Sequence, residues 1–158
     1  MPPLTAPRVL CLSLLVALGG CASRHVAPTD GPRADVTLRA TPMPGGTFVS
    51  SFATRECGDR RSLALLSPDN REQASTQVRA GQELVLTFKH SAVTGYNSQR
   101  MCQATVAFVP RDGAHYEVRY DVETAAMRCR AAVVVERAGG RWEPMPEAST
   151  GVKPCNWY

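Results

Sequence analysis

The chain has 158 residues, 44% of them hydrophobic and 20% charged, with a net charge of +4. This composition supplies a core for one domain and is too apolar and too mixed in sign for a disordered tail. The arginines are scattered singly instead of forming a run that could follow a phosphate backbone, so nucleic acid is not an expected partner.

The chain opens with MPPLTAPRVLCLSLLVALGGC, in which one basic residue, Arg8, precedes an apolar run from Val9 to Leu18 and then small residues. A membrane-spanning helix takes roughly 20 apolar residues, and this run is about half that, the size of the apolar region of a secretory signal. Residues 1–20 are therefore expected to be an address removed on export, together with Cys11. Without them 17 Lys and Arg face 14 Asp and Glu, a net charge of +3.

Leu18-Gly19-Gly20-Cys21 resembles the lipobox of bacterial lipoproteins. The resemblance covers this N-terminal segment only. It implies that the Cys21 thiol carries a diacylglycerol, that the chain is cut before it, and that the new amino group is acylated. Burial of acyl chains contributes about 0.8 kcal/mol per CH₂, and two or more chains hold firmly where one does not, so the mature protein is expected to stay on membrane lipid. Ala22 in place of an Asp implies, by the family's sorting tendency, the outer membrane instead of the inner one, and a periplasm-facing domain is expected there. Residues 21–34 carry two prolines and a glycine with little periodicity and read as a flexible tether, reaching roughly 20 Å as a coil.

From Asp35 the apolar residues alternate. ADVTLRA separates Val36 and Leu38 from Asp35, Thr37 and Arg39; ELVLTFKH puts Leu84, Leu86 and Phe88 together; HYEVRYDV sets Tyr116, Val118, Tyr120 and Val122 against His115, Glu117, Arg119 and Asp121. Period two marks half-buried strands. TFVSSFA, RSLALL, QATVAFV and RCRAAVVVER are further candidates, divided by turn residues such as VPRDGAH, and Gly139-Gly140 suits a two-residue hairpin. Seven to nine short strands in residues 35–158 predict an all-β fold, a two-sheet antiparallel sandwich of immunoglobulin-like or transthyretin-like layout.

Besides the acylated Cys21, four cysteines remain after export, and an oxidising compartment turns an even count into bridges. Three pairings are possible. Strand parity puts Cys102 on the face of Ala104, Val106 and Phe108, and Cys129 on that of Ala131, Val133 and Val135. Cys102–Cys129 is thus the expected core bridge, leaving Cys57 with Cys155 near the C-terminal NWY. No Cys-x-x-Cys occurs, and neither a metal nor a cofactor is expected.

Catalytic signatures are also missing from the sequence. His25 lies in the tether, His115 faces outward, and His90 precedes Ser91, but neighbours on a strand point to opposite faces and no nucleophile elbow surrounds them. Asp112 reads as turn chemistry; Glu117, Asp121 and Glu123 alternate with bases on a solvated face. The connection SAVTGYNSQRM, Ser91–Met101, is longer than a hairpin needs and carries Tyr96, Asn97 and Arg100, of types that dominate binding hot spots. It is similar over a handful of residues to the Ser-, Gly- and Tyr-bearing loop that membrane-bound lysozyme inhibitors insert into their target. The expected function is therefore non-catalytic: a lipid-anchored envelope protein whose sandwich contacts another envelope protein or reinforces an assembly. The alternative is a periplasmic inhibitor or immunity protein against a peptidoglycan hydrolase, acting through this loop.

Overall fold

The computed structural model describes residues 23–41, 44–69, 71–96, 98–123, 126, 128–153 and 155. The expected signal peptide (residues 1–20), Cys21, Asn97 and the terminal NWY lie outside the described residues.

The strands are β1 (Ser23–Arg24), β2 (Arg33–Ala40), β3 (Gly46–Phe52), β4 (Arg61–Leu66), β5 (Gln73–Arg79), β6 (Leu84–Gly95), β7 (Ser98–Phe108), β8 (His115–Glu123), β9 (Arg128–Arg137), β10 (Arg141–Pro144) and β11 (Ser149–Thr150). They form two sheets, one ordered β1-β4-β3-β6-β7-β11 and the other β10-β9-β8-β2-β5. The all-β sandwich expected from period-two alternation is present. Both sheets are mixed, however, where antiparallel pairing alone was expected: β2 runs parallel to β8 and β1 parallel to β4. Each of these pairs joins strands distant in sequence, which meet by crossovers between the sheets and not through a hairpin.

The alternating residues build the core. Val36 and Leu38 of β2, Leu86 and Phe88 of β6, Val106 and Phe108 of β7, Tyr116, Val118 and Tyr120 of β8, and Val133 and Val135 of β9 are all buried between the sheets. The Phe88 and Tyr120 rings stack at 5.1 Å, and Phe108 meets Tyr116 at the same distance, tilted. A smaller cluster of Phe52, Val85, Ala107 and Cys155 covers one end of the outer face of the first sheet.

Both bridges join the expected partners. Cys102–Cys129 ties β7 to β9 across the sandwich with Cα atoms 5.8 Å apart, and Cys57–Cys155, at 5.4 Å, fastens the C-terminal segment over the outer face. β9 turns into β10 through Ala138–Gly140, with φ of 82° and 74° at Gly139 and Gly140, which is one residue longer than the two-residue turn expected.

The tether expectation needs correction for residues 23–34. β1 pairs with the start of β4, the His25 amide donates to the Ser62 carbonyl at 2.9 Å, and His25 Nε2 lies 3.0 Å from the Gln77 carbonyl. Arg33 and Ala34 already belong to β2. A segment without periodicity is held by backbone bonds, which periodicity does not register. Glu117 departs from expectation too: it is buried, because Arg39 and Arg119 fold over its carboxylate on the outer face of the second sheet.

Candidate functional site: a projecting two-stranded arm

Ser91–Met101 was expected as a loop and is instead strand on both sides. β6 and β7 stay paired from Leu84↔Phe108 up to Gly95↔Ser98, with a register shift between Val93 and Gly95 and the turn at Tyr96. β3 supports β6 only as far as Gly46↔Ser91. Beyond that row, Ala92 to Arg100 form a two-stranded arm standing clear of the sheet. Such a ribbon is marginal alone, and its base is correspondingly well held.

Three features hold that base. Gly45 has φ 104°, and a Cβ there would lie 2.3 Å from the Ser91 carbonyl oxygen, so only glycine allows the β2–β3 connection to press against β6. The Gln99 side-chain amide donates to the Ser91 hydroxyl across the ribbon. Cys102–Cys129 pins the β7 strand of the base to the other sheet. Beside it the Tyr120 hydroxyl donates to the Cys102 carbonyl at 3.0 Å, and burial raises the pKa of the phenol well above its ordinary value.

The arm is exposed and partly apolar. Tyr96 at its turn is 98% exposed, Val93 82% and Met101 59%. Val93 and Met101 lie on the outer face of the first sheet, where half-exposed Phe48 and Leu65 extend the apolar surface towards β4. Arg100, paired with Ala92 on the other side of the ribbon, is exposed and makes no ion pair among the described residues. Tyr96 and Arg100 therefore come together on one projecting element, as a hairpin and not as a crossover loop.

The histidines do not assemble a catalytic group. His90 is 1% exposed and points into the core at the arm's base, its Nδ1 3.0 Å from the Thr47 hydroxyl; Nε2 has no hydrogen-bond partner among the described residues. Burial pushes its pKa down, with the Pro44 backbone opposing. Ser91 points the other way. His115 is exposed between Asp35 and Glu136, at 3.3 and 3.0 Å. Asp112 lies in the turn before β8, and its carboxylate accepts the amide of Arg33 at the start of β2 at 2.9 Å, a long-range bond instead of one within its own turn.

A cleft of about 370 Å³ opens at the opposite end of the sandwich, between His25, Pro28, Phe52, Val78 and Leu84. The charges around it are mutually engaged, Arg61 with Asp59 and Arg79 with Asp30. Among the described residues no three His, Cys, Asp or Glu side chains are placed to hold a metal ion. No family model matches the chain, and no curated protein or solved structure matches it significantly.

Proposed function

We propose that the chain is a lipid-anchored envelope protein whose sandwich is a non-catalytic binding domain, held at the outer membrane through acylated Cys21 and presenting the β6–β7 arm to another envelope protein. The carrying observation is that the chain's entry and the arm lie at opposite ends. Ser23 pairs with Arg61, Arg61 with Ser51, and Ser51 with Leu86; the turn at Tyr96 lies a rise of about 30 Å further along β6. Cys21 precedes Ser23 by a reach of at most about 7 Å. A bilayer holding acyl chains on Cys21 would thus lie against the loop end near His25, with the arm pointing away into the periplasm.

The anchor is tested by mass spectrometry of the mature protein from membranes. The expected result is acyl mass on an N-terminal Cys21, and release to the soluble fraction on Cys21→Ala; an unmodified, free terminus overturns it.

A second reading, an inhibitor of a peptidoglycan hydrolase, is favoured by Tyr96, which at the end of a two-stranded arm is narrow enough to enter a catalytic cleft. It expects Tyr96→Ala or Arg100→Ala to abolish protection from lysis at unchanged melting temperature. Protection surviving both changes leaves only the first reading.

A further inference from the structure

Among the described residues, His90 Nε2 is the one buried side-chain polar atom without a hydrogen bond. It stands at the foot of the arm. Thr47, His90 and Cys102 form a row across β3, β6 and β7; Gly46, Ser91 and Met101 form the next, the last in which β3 supports β6. The β2–β3 connection lies against this corner. The Pro44 backbone acts on the ring, a Cβ on Gly45 would meet the Ser91 carbonyl, and Pro44 and Gly45 are themselves exposed, so this cover is one layer thick. A void of about 10 Å³ beneath it, between Thr41, Gly45, Thr47 and Leu66, is at the lower limit for a single water.

The neutral imidazole is tolerated here, because Nδ1 has the Thr47 hydroxyl at 3.0 Å and the bare Nε2 is only an unused lone pair. The imidazolium is not. Both of its nitrogens are donors, Nε2 has no acceptor, and a buried cation without a partner is costly. The neighbouring titratable groups bring no relief. Cys102 and Cys129 are bridged, and burial raises the pKa of the Tyr120 phenol, which stays neutral. Asp121 is engaged by the Thr41 hydroxyl and by Arg130, Glu72 is exposed at the rim of the void, and Lys89 points to the outer face. No charge acts on the ring.

We propose that protonation of His90 lifts the β2–β3 connection off β6 and removes the brace at the foot of the arm, so that acid loosens the arm while the sandwich stays folded. Neither the lipid anchor nor a partner is required. Once lifted, the imidazole meets water and has an ordinary pKa near 6.5, so a fall from pH 7.5 to 5.5 favours the open form by up to about tenfold. A contact made through the arm would weaken in acid, because ordering the arm would then oppose binding.

Amide exchange of the full-length protein between pH 8 and 5, expressed as protection factors, tests this. Gly46, Thr47 and the arm from Ala92 to Arg100 are expected to lose protection about tenfold from pH 7.5 to 5.5, with the bend near pH 6.5, and His90→Gln is expected to abolish the loss. The chain has three histidines, and the other two, His25 and His115, lie at the opposite end of the sandwich. His25→Gln with His115→Gln should therefore keep the loss, which identifies His90 even if His90→Gln does not fold. Unchanged protection in the arm and the connection, with loss only in the buried strands β8 and β9, would confine proton uptake to global unfolding and overturn the switch. So would a loss that persists in His90→Gln, or one that disappears in the double variant.

Discussion

His90 gives the arm's base a pH dependence. Its imidazole is buried, has a folded-state pKa below the ordinary value, and lies against Thr47 and opposite Cys102, with no ion pair to a carboxylate among the described residues to favour the cation. The unfolded chain therefore takes up a proton near pH 6.5 that the native state refuses. Stability from this group is fully present above that pH and falls as pH drops, by at most about 1.4 kcal/mol per pH unit, levelling off below the folded pKa. Urea midpoints at pH 7.5 and 5.5 check this: the wild type should lose stability on acidification, and His90→Gln should lose measurably less. Equal losses would show that His90 is protonated without cost. Neither the burial nor the missing Nε2 partner was legible in "KHSA", because alternation assigns a face and does not say how far the covering strand extends. The same limit applies to Glu117, whose alternation with arginines is real while its burial depends on Arg39 from a distant strand.

At the scale of elements, the arm depends on a close approach at Gly45 and on one disulfide. Gly45→Ala adds a Cβ 2.3 Å from the Ser91 oxygen at a positive φ. It is expected to cost about 2 kcal/mol or more, by strain that a side chain cannot relieve. Cys102→Ser with Cys129→Ser should cost about 2 to 4 kcal/mol. Denaturant titration reads both, and amide exchange across Ala92–Arg100 should quicken in each before the core loosens. A Gly45→Ala protein of wild-type stability would mean the β2–β3 connection does not press on β6. The strands legible in the sequence, β2, β3, β4, β6, β7, β8 and β9, have one face towards the core. The arm was read as a loop because neither of its faces is buried, so period two fades at the row where β3 ends. β5 was missed for a related reason: QASTQVR alternates small and polar residues around Val78 alone. β1 and β11, at two residues each, are set by their neighbours' free backbone groups and leave no pattern.

At the scale of the molecule, under the proposed anchor at Cys21, the N-terminal segment would decide how high the domain stands. Read as a coil, residues 21–34 would let it drift roughly 20 Å from the headgroups. With β1 laid along β4 and His25 against Gln77, an anchor at Cys21 would instead hold the loop end at the membrane and fix the arm's direction. The difference is measurable with the acylated protein on vesicles whose headgroups carry an energy-transfer acceptor. A donor dye at Gln82, in the turn before β6, is expected to transfer strongly; one at Tyr96, about 30 Å further along the strand, is expected to transfer weakly. Thr76→Pro in β5 is unsuited as a control because it disturbs the sheet. A flexible insertion between Ala22 and Ser23 leaves every described contact in place, and should lower transfer at Gln82 while narrowing the gap between the two positions. Equal transfer from both positions in the uninterrupted protein would mean that the sandwich lies on its side, with the arm along the lipid surface instead of pointing away from it.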